Sequence, residues 1–304
     1  MALTGTAAIA GLITDAYDQA VAQKNRHRTM LRDLPDKHLV DPTHVGDTYT
    51  LFFYNDLAES SSLLTETTDT TAVAVPDVSP ITVAISEFGR TVSTTRKLEL
   101  TSLAQINPIV VNLLARDQAV SLDNEVATIA YGGTNVVRAG ARAATNLVTS
   151  TDVITAKDFR NVITKLRENA AMGRRGEDYA VYMHPRVALD LRSETGAGGW
   201  RDDHKYAAPD LFWAGETGQY EGGFVIESAR MKKANDGATS ATVYRTLFAG
   251  AEALAEVVWE APHTVIGEQV DNLKRFRPIS WYGALNWARY REDNLFRYES
   301  SASS

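Results

Sequence analysis

Catalysis by this chain would have to come from carboxylates, hydroxyls and six histidines, because it has no cysteine. That composition removes disulfides, thiolate nucleophiles, iron–sulfur clusters and cysteine-based zinc sites together. The histidines (His27, His38, His44, His184, His204, His263) are scattered, and none forms the H-E-x-x-H pair that sets two metal ligands on one helical face. The chain contains no G-x-S-x-G elbow, no G-x-x-x-x-G-K-[ST] phosphate loop and no G-x-G-x-x-G fingerprint. Gly196-Ala-Gly-Gly199, followed by Trp200 and Arg201, reads as a loop. Asp202-Asp203-His204 puts ligating types in a row, but no second set has matching spacing, so it reads as a solvated polar loop. The reading is therefore no enzyme, no metal and no cofactor.

The chemistry left over is recognition by charge. The formal net charge is -7, which argues against a dedicated nucleic-acid binder. No stretch reaches the roughly 20 apolar residues of a membrane span, and no basic region precedes the apolar N-terminus, so neither a span nor a signal peptide is expected. Charge is most unevenly spread across residues 55–80, which are dense in Ser, Thr and acid. No lysine occurs between Lys37 and Lys97, and no arginine between Arg32 and Arg90. The carboxylates there (Asp56, Glu59, Glu66, Asp69, Asp77) need cations from elsewhere. Arginine suits a fixed interface, since its planar fork can hold a carboxylate with two hydrogen bonds. Arg90 and Arg96, Arg138 and Arg142, and Arg174 and Arg175 are the candidates, and all of these charged residues are expected to make contacts between subunits. One exposed pair contributes only ~0–1 kcal/mol and is screened by salt, so such contacts act by repetition.

The elements that carry these residues follow from periodicity. Residues 4–32 have helical spacing (Ile9, Leu12, Ile13, Tyr17, Val21) and end in a basic run; Pro35 and Pro42 then bracket an extended connector. Residues 48–54 alternate as a strand, and 81–100 resume β character, which makes a long hairpin arm out of the polar excursion between them. Such a ribbon is marginal alone and calls for a partner surface. Asn107-Pro108 caps a helix that runs to Tyr131 and stops at Gly132-Gly133, with Ile106, Ile109, Val110, Leu113 and Leu114 as its apolar stripe. At ~1.5 Å per residue it spans about 36 Å, long enough to act as a beam. Thr155-Ala-Lys-Asp158 is a capping box ahead of Phe159, Val162, Ile163 and Leu166. The basic loop Gly173-Arg-Arg-Gly176 leads into a buried strand at 179–183, and His184-Pro185 opens a short helix. Strands follow near 224–227, 242–248, 256–260, 278–290 and 294–299. Their aromatics (Trp281, Tyr282, Trp287, Tyr290, Phe296, Tyr298) read as sheet packing, and the Ser/Ala tail from Ser300 as frayed.

This order of parts resembles the major capsid protein of tailed bacteriophages. Leu103-Ala-Gln-Ile-Asn-Pro108 and Tyr131-Gly-Gly-Thr-Asn135 are similar to the opening and close of that family's spine helix. Tyr179-Ala-Val-Tyr-Met-His-Pro185 is similar to its strand and His-Pro helix start. Gly218-Gln-Tyr-Glu-Gly-Gly-Phe-Val-Ile-Glu227 is similar to its axial-domain strand. The resemblance covers nearly the whole chain. It implies an α+β tailed-phage major capsid fold with an N-terminal arm (1–46), an extended β-hairpin loop (47–100), the spine helix of a peripheral domain (101–135), an α/β axial domain (136–256), and return strands with a tail (257–304). It implies a shell of hexamers and pentamers around double-stranded DNA, assembled in the host bacterial cytoplasm, with the DNA contacted only weakly. Some members carry a long cleaved scaffolding segment ahead of the hairpin. With about 45 residues there, a separate scaffolding protein is expected, beside a portal protein, and the resemblance leaves room for a decoration protein. Covalent linking through a loop lysine, known in some members, is not expected because this loop has none. The rival readings are a bacterial nanocompartment shell of the same fold and a soluble carboxylate-dependent hydrolase.

Overall fold

The computed structural model describes residues 31–40, 46–54, 57, 59–60, 63–64, 66–70, 72–76, 78–101, 106–194, 218–268 and 271–303. In chain order these form β1 (Asp36–Leu39), β2 (Thr48–Tyr54), β3 (Val78–Ala84), β4 (Glu87–Thr95), α1 (Arg96–Thr101), α2 (Ile106–Tyr131), β5 (Val136–Arg138), α3 (Ala156–Glu168), β6 (Tyr179–Met183), α4 (Pro185–Ser193), β7 (Gln219–Tyr220), β8 (Gly223–Glu227), β9 (Lys233–Ala234), β10 (Val243–Ala249), β11 (Leu254–Ile266), β12 (Phe276–Arg289) and β13 (Leu295–Ser300). The mixture of sheets and few helices is an α+β architecture.

A four-stranded sheet in the order β1-β11-β12-β4 is the first platform. The first half of β11 is buried on both faces, from Leu254 to Trp259. One face meets α2: Val258, Ile279, Trp281 and Leu285 pack with Val110, Leu114, Leu122 and Val126. The other face meets the β2–β3 ribbon through Ala255, Val257, Trp259 and Ala284 against Leu51 and Val83. Beyond Trp259 the β11 strand becomes exposed or half-buried, with register shifts between Val258 and Glu260 and between Glu260 and His263. Pro262 sits there, where a missing N–H suits a bulge. Gly283 lies opposite, and a Cβ on it would stand 2.9 Å from the Pro262 Cα, so only glycine lets the strands close.

The second platform is a seven-stranded sheet in the order β5-β13-β10-β6-β8-β7, with β9 on the edge of β10. The capping box of α3 forms: the Thr155 side chain accepts from the Asp158 N–H while the Asp158 carboxylate reaches back to the Thr155 backbone. Phe159, Val162, Ile163 and Leu166 of α3 are buried with Val181, Val225, Phe248 and Tyr298 of the sheet. His184 caps α4 by accepting from the Arg186 N–H.

Several expectations change. The helix expected over 4–32 lies outside the described residues except for a short 3-10 turn, Leu31–Asp33. The connector after Pro35 is strand β1, paired in parallel with β11. The β run over 81–100 breaks at Ile85 and Ser86: β3 pairs with β2, while β4 crosses to β12 and α1 ends the segment. On α2 the buried line is Val110, Leu114, Leu122, Val126 and Ala130, whereas Leu113 is exposed. Strand β13 was expected among the return strands beside β11 and β12, but it joins the seven-stranded sheet between β5 and β10. The tail is not frayed at Ser300: Ser300 and Ser301 are buried, and the Ser301 N–H donates to the Asp152 carbonyl at 2.8 Å. Main-chain bonds hold it, which a Ser/Ala composition does not signal.

Candidate assembly surfaces

The β2–β3 ribbon divides into a packed base and a bare tip. At the base Leu51 and Val83 are buried, Asn286 donates to the Ala84 carbonyl at 2.8 Å, and the Tyr290 hydroxyl donates to the Phe52 carbonyl at 3.3 Å. Past Tyr54 the described tip residues are exposed apart from a half-buried Pro76. Leu57, Leu63, Leu64, Val73 and Val75 are all open to solvent, with Leu63 at 96% exposure. The sequence reading stressed the tip's polar character; the structure adds a set of bare aliphatic side chains. Glu59, Glu66 and Asp69 are exposed and make no ion pair among the described residues. Asp69 accepts only from the neighbouring Thr70 N–H, at 2.8 Å. Asp56 and Asp77 lie outside the described residues.

The arginines nominated as partners for these acids are mostly engaged within the chain. Arg90 pairs with Asp117 at 2.7 Å, and Trp281 Nε1 also donates to Asp117 at 3.1 Å. Arg142 holds Asp152 with two bonds of 2.9 and 3.3 Å. Although burial works against it, the Arg142 and Thr149 hydrogen bonds hold the Asp152 carboxyl below its ordinary value. Arg174 lies 3.5 Å from Asp36 and donates to the Asp33 carbonyl at 2.9 Å, and Arg175 lies over the Phe224 ring at 4.8 Å. Arg138 donates to Glu299 at 3.0 Å and to the Ala143 carbonyl.

Glu299, fully buried, is a hub that sequence reasoning missed. Its Oε2 accepts from Arg138 and from Thr145 at 2.7 Å, while Oε1 lies 3.0 Å from Arg297 Nε and 3.5 Å from Arg245 Nε. Arg245 also meets Asp236, and Arg297 reaches the Tyr131 carbonyl at the end of α2, where the helix dipole favours a cation. Burial lowers the Arg297 pKa, Glu299 opposes, and Arg245 and Arg138 lower it further. The long helix is thereby fastened to the second sheet. A second missed group is Asp123, a buried carboxylate on α2 that accepts from the Leu31 N–H at 2.8 Å and from Arg230 at 3.3 Å. It fixes the Leu31 main chain against α2.

Arg96 has different company. With Thr95, Lys97, Leu100, Thr101, Arg275 and Phe276 it lines a 510 Å³ groove at the free end of the first sheet. Leu98, Leu100, Leu273 and Phe276 are exposed beside it. Arg275 pairs with Asp271 at 2.6 Å, whereas Arg96 and Lys97 make no ion pair among the described residues. This surface is apolar and basic; the ribbon tip is apolar and acidic. An apolar-basic run, Arg-Lys-Leu-Glu-Leu, was the only sequence signal for it.

Nothing comparable gathers catalytic groups. Among the described residues no cluster of His, Asp and Glu could hold a metal, and no helix is long and apolar enough to cross a membrane. The tyrosines with strongly raised pKa, Tyr131, Tyr182 and Tyr298, are shifted first by burial. The glycine cluster at 196–199 and the 202–204 triplet lie outside the described residues.

No family model and no curated protein sequence matches the chain. Solved structures do. The chain is similar to the capsid protein of cyanophage Pam1 (14% identity, 93% of this chain and 95% of that chain, TM-score 0.75). It is similar to that of Ralstonia phage GP4 (13% identity, 94% of each chain, TM-score 0.73). It is also similar to the capsid protein of an empty GTA particle (16% identity, 99% and 100% coverage, TM-score 0.62). At such identities the likeness establishes the fold, which is the α+β fold of tailed-phage major capsid proteins.

Proposed function

We propose that the chain is a major capsid protein, building the shell of a tailed phage by self-association in hexamers and pentamers. The observation that carries this reading is the ribbon tip, whose exposed aliphatics and acids meet no partner surface among the described residues. A projecting arm of that kind is stable when another molecule covers it. The groove around Arg96, Lys97, Leu100 and Phe276 of a second copy has the complementary apolar and basic character. Head-to-tail contacts of this type close into rings. Their weak individual pairs add up because every copy repeats them. The similarity over nearly the full length to capsid chains supports the same reading.

On this reading residues 1–46 are the arm, 47–100 the extended loop, 101–135 the spine helix, 136–256 the axial part and 257–304 the return strands and tail, except that β13 (Leu295–Ser300) pairs within the axial part's sheet. A separate scaffolding protein, a portal and double-stranded DNA would be partners, with the virion as the final location. The protein would work by geometry and surface energy, with no catalytic step. Electron microscopy and light scattering of the purified full chain, alone and co-expressed with its neighbouring genes, test the reading. Closed shells are expected; a stable monomer under every condition would refute it.

A further inference from the structure

The loop Gly173-Arg-Arg-Gly176 bounds a pocket that the assembly surfaces do not use. It has a volume of 240 Å³ and is lined by Arg174, Arg175, Asp178, Tyr182, Phe224 and Ile226. The loop is held rigidly. The Arg174 and Arg175 N–H groups both donate to the Asp178 carbonyl, at 2.8 and 3.1 Å, and Asp178 N–H returns a bond to Arg175. Gly176 takes a φ of +68, and a Cβ on Gly173 would stand 2.4 Å from the Gly176 carbonyl oxygen, so both glycines are required.

The donors around this pocket outnumber their acceptors. Arg174 Nη2 serves the Asp33 carbonyl and Asp36, but its Nη1 is shut from solvent with no acceptor among the described residues. Arg175 is stacked on Phe224, which leaves the guanidinium edge unused, and it makes no ion pair among the described residues. The Tyr182 side chain is buried, at 3% exposure, and no described residue hydrogen-bonds its hydroxyl. Burial, only partly offset by Arg174, pushes that hydroxyl up to about 12, so it stays a donor at neutral pH. The one carboxylate in the wall, Asp178, is occupied by the Gln219 amide at 2.8 and 2.7 Å. A buried donor without an acceptor, as Arg174 Nη1 is among the described residues, is costly, and a group that brings acceptor oxygens from several directions would satisfy it together with the Arg175 and Tyr182 donors.

We propose that this pocket binds a phosphate oxyanion, held between the guanidinium groups of Arg174 and Arg175 and the hydroxyl of Tyr182. A carboxylate would occupy one guanidinium fork, whereas a phosphate has enough oxygens for donors on separate elements. A phosphodiester of DNA and free inorganic phosphate present the same chemistry. The proposal holds whether or not the chain builds a shell.

The test uses the full chain and inorganic phosphate, with chloride at matched ionic strength as reference, and a short DNA duplex as competitor. Phosphate is expected to raise the melting temperature above that in chloride. Tyr182→Phe, which removes only the hydroxyl, and Arg175→Gln are each expected to weaken phosphate binding about tenfold, the loss of one charge-assisted hydrogen bond. Their melting in chloride reports that they fold. A duplex that displaces phosphate, and loses affinity in the same variants, identifies the DNA backbone as the source. A duplex that does not compete identifies the free ion. Equal melting in phosphate and chloride, or variants that bind phosphate like the native chain, would overturn the proposal.

Discussion

Glu299 and Glu66 are both carboxylates of this chain, and their surroundings could hardly differ more. Glu299 is buried at a strand crossing with Arg138, Arg245, Arg297 and Thr145 around it. Glu66 stands in solvent at the ribbon tip, with exposed Leu63 and Leu64 nearby and no ion pair among the described residues. The body of the protein settles its own charges, since Asp117, Asp123, Asp152, Glu256 and Glu299 each meet an arginine of the same chain or a main-chain donor. The described acids of the tip, Glu59, Glu66 and Asp69, meet no cation among the described residues. Charge in the body fastens the fold, and charge at the tip is available to another molecule.

The comparison is broken most forcefully at the hub. Glu299→Ala should destabilise the chain by about 3–5 kcal/mol, because arginines around a buried site lose their only shared counter-charge; denaturant unfolding measures it. Loss of stability near zero would mean that water replaces the carboxylate. Arg138→Glu should act in the same direction, so its effect on shell yield would be secondary to its effect on folding. Next comes Asp123→Asn, which keeps the shape but weakens the docking of Leu31 and the Arg230 pair. About 1–3 kcal/mol should be lost, and proteolysis should cut earlier near residues 30–40.

At the tip the expected pattern reverses. Glu66→Lys or Leu63→Ser should change stability by no more than about 0.5 kcal/mol, yet lower particle yield. Yield of the native chain should also fall as salt rises, since exposed pairs are screened beyond a Debye length of ~8–10 Å. Salt-independent yield, with both variants assembling normally, would leave apolar contact alone as the adhesive. The smallest effect concerns acid. Asp152 and Glu292 both have pKa values held below their ordinary 3.8 and 4.5. For Glu292, burial opposes the shift while hydrogen bonds from Thr134 and the nearby Arg289 produce it. A depressed folded pKa gives stability that is present above the unfolded value and lost as pH falls through the folded one. Melting temperature should therefore decline below about pH 4.5, and Asp152→Asn should flatten part of that decline. A steeper decline in the variant would reverse the assigned sign.

What could be read from sequence was local. The Thr155 capping box and His184-Pro185 each start a helix by satisfying donors within a few residues, and both caps form; the long helix is present too, but it begins at Ile106, ahead of the expected Asn107 cap. The ribbon was legible from alternation over 48–54 and from residue 81 onward, although its second strand starts earlier, at Val78. What could not be read was pairing at a distance. The bond from Arg138 to Glu299 spans 161 positions, and nothing near either residue announces the other. The break at Ile85 and Ser86 went unseen because Thr and Val carry β character on both sides of it; the different partners of β3 and β4 separate them. The groove beside Arg96 was half legible, since α1 supplies Leu98 and Leu100 but Arg275 and Phe276 arrive from the far end of β12. The surplus donors at Arg174, Arg175 and Tyr182 depend on a loop, a strand and the start of the body meeting in space, a conjunction no motif encodes.

The central claim is that the tip serves assembly and not folding, and one measurement reaches it directly. Residues 59–75 are replaced by a short Gly-Ser turn, which leaves β2, β3 and the buried contacts of Leu51 and Val83 intact. Melting temperature and electron-microscopic particle counts are then taken on the same preparation, beside the native chain. The account predicts a melting temperature within a few degrees of the native value, because a shorter surface loop changes closure entropy by only ~0.6 kcal/mol per halving, together with the loss of shells. Normal shells from the shortened chain would contradict it.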